Sequence, residues 1–187
     1  MFNRFFIETP SEERLLNSEN YQYVVDVGPG EFGITRADDI KPILATYGLA
    51  TCVGFVGWNP KQKIGFLTHY DAMTKLSESF DYLIDCVLKQ SQGKSSEFDV
   101  RLVGGWDNSD PIIEFLKSNL GKNKNIKMKL IKEDIGRSGL VKSVALDTRT
   151  GKTYSYFPKL NPFHTRTEEN FDLFNHSIAK LTYQSRV

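Results

Sequence analysis

Cysteine and histidine are the side chains best suited to trade a proton and a lone pair near neutral pH. This chain uses them sparingly. It has two cysteines, Cys52 and Cys86, and three histidines, His69, His164 and His176. Cys52 closes the run Thr46-Tyr47-Gly48-Leu49-Ala50-Thr51 and heads an apolar run that reaches Trp58. Asn59-Pro60 turns the chain, and a second strand-like run delivers His69. Two strands joined by a short turn lie side by side, so the thiol and the imidazole can meet across the ladder.

An isolated cysteine is only a few per cent thiolate at neutral pH, with a pKa of about 8.5. A neighbouring imidazole can take its proton and make it a nucleophile. The glycine-containing turn before Cys52 can bend sharply and aim backbone N–H groups at a developing oxyanion. His69 then needs a third group to fix its tautomer, and the Thr46 hydroxyl is placed to accept its other N–H. On residue type alone, two readings stand for each position. Cys52 is a nucleophile or a core filler, His69 a base or a hydrogen-bonded strand-end residue, Thr46 an orienting group or an ordinary β-former.

The elements that must hold these residues follow from pattern. Tyr21 to Val27 is β-branched and aromatic and predicts a strand, ended by Gly28-Pro29-Gly30. Short extended runs are expected at Phe32 to Ile34 and Ile43 to Tyr47. Cys52 to Trp58 and Lys63 to His69 form a hairpin. Thr74 to Gln90 carries Leu76, Phe80, Leu83, Ile84, Val87 and Leu88 at helical spacing. Phe98 to Val103 is a strand closed by Gly104-Gly105. Ser109 or Asp110 caps a second helix, with Pro111 at its first position and Gly121 at its end. Ile126 to Ile131 alternates apolar residues with lysine. Lys122, Lys124, Lys127, Lys129 and Lys132 are read as a solvated face or protected edge. Leu140 to Leu146 and Lys152 to Phe157 flank a late-glycine turn and predict a second hairpin. A terminal helix is expected over Glu168 to Tyr183.

The sum is an α/β fold, a single domain of mainly antiparallel sheet layers with two internal helices and a C-terminal helix. Residues 1–20 are expected as an arm, 21–157 as the domain, and 158–187 as a linker and helix. The chain has 187 residues and a formal net charge of +1, which lacks the basic footprint of a nucleic-acid binder. Two cysteines outside any CxxC pair make neither a disulfide framework nor a zinc set. No secretory signal and no membrane-length apolar run is present. A cytoplasmic protein with no cofactor, no metal and no membrane insertion is expected, with signal-less export as the other route. Cys86, His164 and His176 are read as structural or solvated. Trp106, if exposed beside Cys52, would anchor a protein substrate.

The run from Thr46 to Cys52 resembles the T-x-G-L-G-S-C signature of the chemoreceptor glutamine deamidase CheD. His69 follows Cys52, and Thr46 precedes it, at the intervals of that family's base and third catalytic residue. Val103-Gly104-Gly105 resembles its glycine-containing strand end. Glu133-Asp134-Ile135-Gly136 with Arg137-Ser138-Gly139 resembles its E-D-[IV]-G-G-x-x-G-R segment, and Asp147-Thr148-Arg149-Thr150-Gly151 its D-x-x-T-G hairpin. The likeness runs from about Tyr21 to Tyr156. It differs at Ala50 and Thr51, which replace Gly and Ser. It differs again at Gly65-Phe66-Leu67-Thr68, at Tyr70-Asp71-Ala72-Met73 and at Trp106-Asp107-Asn108. The resemblance implies a fold related to the catalytic domain of cytotoxic necrotizing factor toxins. It also implies a cysteine amidohydrolase that turns a protein glutamine into glutamate and releases ammonia. Cys52 would be its nucleophile, His69 its base and Thr46 its orienting residue. The alternative is a non-catalytic module of the same fold that docks a signalling partner.

Overall fold

The β-branched and aromatic runs fold as strands, and the two helically spaced stripes fold as helices. The computed structural model describes residues 6–7, 15–136, 140–158 and 179–180. In chain order the strands are β1 (Phe6–Ile7), β2 (Val24–Asp26), β3 (Glu31–Arg36), β4 (Ile43–Leu49), β5 (Val53–Asn59) and β6 (Ile64–Tyr70). Helix α1 (Leu76–Gln90) leads to β7 (Ser96–Gly104), and α2 (Asp110–Asn119) to β8 (Ile126–Ile135). β9 (Leu140–Asp147), β10 (Lys152–Tyr154) and β11 (Ala179–Lys180) complete the set.

The strands divide between two sheets. The first has the order β1-β9-β4-β2, with β10 also paired to β9. The second has the order β11-β3-β6-β5-β7-β8. Most pairings are antiparallel, while β1–β9, β2–β4 and β7–β8 are parallel. The β7–β8 pair needs a crossover, and α2 supplies it.

Alternation along each strand sorts the side chains into three packed zones. Phe55, Phe66, Phe98 and Val100 of the second sheet meet Phe80, Leu83 and Val87 of α1 and Ile113 and Leu116 of α2. On the opposite face of that sheet, Val56, Leu67 and Val103 meet Leu44, Leu49, Val144 and Leu146 of the first sheet. The outer face of the first sheet holds Ile43, Ala45 and Ala145 against Leu16, Tyr21 and Tyr156. The α/β single domain with mainly antiparallel layers and two internal helices is therefore as expected.

Three local expectations differ. Tyr21 and Tyr23 lie in a short 3-10 helix over Ser18–Tyr23, because the Asn17 side chain accepts the Glu19 N–H at 3.1 Å and starts a turn. The strand begins only at Val24. The N-terminal segment is more than an arm: Phe6–Ile7 pairs with β9, and Leu16 is buried in the outer zone. Within the expected C-terminal helix, the described Ala179–Lys180 pairs antiparallel with Phe32 and Glu31. The open edge of β3 offers ladder groups there that a strand can satisfy and a helix cannot. The rest of that helix, with His176, and His164 of the expected linker lie outside the described residues.

Candidate active site

Thr46 and His69 come from different sheets and meet in the gap between them. Thr46 has the parity of Leu44 on β4, so it faces the second sheet. His69 has the parity of Leu67 on β6 and faces the first. Both are buried. The Thr46 Oγ1 lies 2.7 Å from His69 Nδ1 and 2.6 Å from the Val27 carbonyl oxygen. A hydroxyl has one proton to give. The Val27 carbonyl can only accept, so Thr46 donates to it and accepts from His69 Nδ1–H. This relay assigns the tautomer: Nε2 is left as the lone-pair nitrogen of the neutral ring.

Cys52 stands immediately before β5 and is half-buried against the inter-sheet cluster. Gly54 is the Cα partner of His69 in the β5–β6 ladder. Cys52 is two residues away from Gly54 and packs on the same face, so it is the diagonal neighbour of His69. Diagonal neighbours lie about 7–8 Å apart, within reach of long and aromatic side chains. Gly54 adds no side chain between them; a Cβ there would come within 3.0 Å of Leu49.

The backbone around Cys52 is pinned from the β7–α2 loop. The Gly105 N–H donates to the Cys52 carbonyl at 2.9 Å, and the Ser109 hydroxyl donates to the Thr51 carbonyl at 2.8 Å. Ser109 also accepts the Trp106 N–H at 3.0 Å. The approach is close enough to demand glycine at position 104, where φ is +82° and a Cβ would lie 2.5 Å from the Leu49 Cβ and 3.0 Å from the Cys52 carbonyl oxygen. Gly48, at φ +76°, makes the bend that precedes Cys52, beside a register shift between Thr46 and Leu49 in the β4–β9 ladder.

Burial pushes the Cys52 thiol above its ordinary value, the Asp71 carboxylate pushes it the same way, and a hydrogen bond with Thr51 pulls it partly back. The resting group is a thiol, so an attacking thiolate would need its proton removed during the reaction. Asp71 is a site neighbour that residue reading did not select. It is fixed by accepting the Met73 N–H and the Thr74 hydroxyl, both at 2.9 Å. The spacing Asp-x-x-Thr ahead of a helix is its only sequence signal.

The other candidates lie elsewhere. Trp106 is half-buried, and its indole N–H donates to the Leu140 carbonyl at 2.7 Å. It ties the start of β9 to the loop that holds Cys52, so the exposure on which an anchoring role depends is not met. Cys86 is on α1, against the opposite face of the second sheet. Lys127, Lys129 and Lys132 are exposed on β8, as a solvated face predicts. Residues 137–139, part of the glycine- and arginine-containing segment, lie outside the described residues. Among the described residues no group of three or more His, Cys, Asp or Glu side chains could hold a metal ion, and no helix is long and apolar enough to cross a membrane.

No protein-family model matches the chain. It is similar to an uncharacterized protein of Acanthamoeba polyphaga mimivirus, with 29% identity over 143 residues, covering 64% of this chain and 52% of the relative. The chain spans about half the length of the curated relative it matches.

Proposed function

We propose that this chain is a CheD-like, cysteine-dependent protein glutamine deamidase. The observation that carries the reading is the relay from His69 Nδ1 through the Thr46 hydroxyl to the Val27 carbonyl, with Cys52 on the same sheet face as His69. Its partner is a protein that presents a glutamine side chain.

In this reading, Nε2 of His69 takes the Cys52 proton as the sulfur attacks the carboxamide carbon. The C=O π-pair moves onto oxygen, where backbone N–H groups of the Gly48–Cys52 turn stabilise it. The tetrahedral centre collapses, the C–N bond breaks, and the nitrogen leaves as ammonia with the proton from His69. A thioester remains. His69 then accepts a proton from water, and the resulting hydroxide attacks the thioester. The C–S bond breaks, glutamate is released, and the sulfur recovers the proton from His69. Thr46 keeps the ring aimed while its charge alternates. Because Thr46 is neutral, it stabilises the imidazolium less than a carboxylate would, in keeping with a Cys52 that rests as a thiol.

The upward shift of that thiol is also the observation that favours the second reading, a docking module that keeps the fold without turnover. The same acyl-enzyme could pass to an amine instead of water. One assay separates all three. Candidate protein substrates are incubated with the full chain and followed for ammonia release and for the small mass gain of an amide becoming an acid. Cys52→Ser is the matched control, and a primary amine is added in a parallel arm. Cys52-dependent ammonia with an acid product supports deamidation, and amine incorporation supports transamidation. Equal activity in Cys52→Ser removes the assignment.

A further inference from the structure

A cavity of about 330 Å³ opens between the two sheets on the β8 side, and neither Cys52 nor His69 lines it. Its walls carry three cations, Arg101, Lys132 and Lys142, against one carboxylate, Asp134. Lys142 and Asp134 are already an ion pair. Arg101 and Lys132 remain, and among the described residues neither forms an ion pair. Arg101 donates through Nη2 to the Gly151 carbonyl at 3.3 Å, while its Nη1 is buried without a hydrogen-bond partner. A guanidinium nitrogen shut off from water and left unsatisfied is costly. Burial pulls the Arg101 pKa down and Asp99, on the same strand face, holds it up, so the group stays charged. A neighbouring basin of about 640 Å³ shares Arg101 and Lys132 and adds Lys152 and the half-buried Trp58.

The geometry points to an anion site in this inter-sheet cavity that takes a phosphate-bearing small molecule, with Arg101 and Lys132 as its ligands. With neither cation in an ion pair among the described residues, a dianion can answer both, whereas a monocarboxylate answers one. The guanidinium supplies positive charge from the cavity wall, and the lysine acts as a point charge at the rim. The cavity volume is at the lower end of small-molecule sites, and the adjoining basin leaves room for the remainder of the ligand. The proposal stands independently of the deamidase reading, since it uses none of the residues at Cys52.

The test is calorimetric titration of the full chain with inorganic phosphate, pyrophosphate and acetate at low ionic strength. Pyrophosphate and phosphate are expected to bind, and acetate to give no comparable heat. Lys132→Ser and Arg101→Gln should each weaken pyrophosphate by about tenfold or more, the loss of one charge-assisted contact. Lys89→Ser, an exposed lysine of α1 beyond the opposite face of the second sheet, should change nothing. Should Arg101→Gln fail to fold, Lys132→Ser decides, because that side chain is exposed at the rim. No heat from pyrophosphate up to about 10 mM, weaker than any useful site, overturns the proposal. So does acetate binding as well as phosphate, or an equal loss in Lys89→Ser.

Discussion

Thr46 and His69 touch at 2.7 Å across the gap between two sheets, and the hydroxyl accepts because its own proton is committed to Val27 at 2.6 Å. A neutral residue thus does the orienting, and the direction of its single proton decides which imidazole nitrogen is basic.

Thr46→Val is isosteric but removes both bonds. It strands the Nδ1–H and the Val27 carbonyl in a buried site, and stability should fall by about 1–3 kcal/mol in urea titration. If the deamidase reading holds, kcat should drop further than KM changes, and the pH profile should shift as the ring loses its tautomer preference. Thr46→Ser keeps the hydroxyl and should recover most of both. A purely structural Thr46 would leave the pH profile unmoved.

The Cys52 thiol sits above its ordinary value, through burial first and the Asp71 charge second. Alkylation by iodoacetamide should therefore be slow at pH 7 and still rising above pH 9. Asp71→Asn keeps an oxygen to accept from Met73 and Thr74 but removes the like charge. It should speed alkylation severalfold near neutrality. An unchanged rate would show that Asp71 does not act on the thiol.

Tyr70 is fully buried, and its hydroxyl has no hydrogen-bond partner among the described residues. Burial, with Asp81 nearby, pushes its pKa far upward. The sign follows from linkage. The folded state keeps a proton that the unfolded chain gives up at the ordinary tyrosine value, so the contribution is whole below that value and is lost as pH rises above it. The urea midpoint should fall from pH 9 to pH 11. Tyr70→Phe removes an unsatisfied buried hydroxyl and should flatten that decline while leaving stability at pH 7 equal or higher. A midpoint equally pH-dependent in both proteins would assign the decline elsewhere.

Gly104→Ala would place a Cβ 2.5 Å from Leu49 in a left-handed backbone. The strain and overpacking together should cost about 2–4 kcal/mol in denaturant unfolding. Because Gly104 lies against the Cys52 carbonyl, Cys52 alkylation rates should change with it, whereas a distant destabilising substitution such as Leu116→Ala should leave them alone.

The features that local chemistry writes into a sequence were readable in advance. Both hairpins follow from turn residues between alternating runs, and α1 and α2 from their stripes. The expectation that the Thr46 hydroxyl accepts from His69 is met by a direct contact. What escaped is non-local. Nothing in residue type says that β2 lies parallel to β4, or that β4 and β6 belong to different sheets. The Val27 carbonyl completes the relay, yet a backbone oxygen leaves no mark in a side-chain pattern. The alternation predicts β8 only to Ile131, with Lys132 in the basic cluster just beyond it. A register shift after Val100 then pairs Arg101 with Lys132, which brings that lysine to the cavity. The Asn17 cap is local and could have been found, but the aromatic run after it favoured a strand.

Cys52 and His69 ride on one layer, and Thr46 rides on the other. A sideways slip of the two layers by a fraction of an ångström would break the Thr46 contact while every ladder stayed paired. The Thr46–His69 contact thus depends on sheet-to-sheet alignment rather than on secondary structure. Heat or mild denaturant should silence Cys52 chemistry before far-ultraviolet circular dichroism registers any loss.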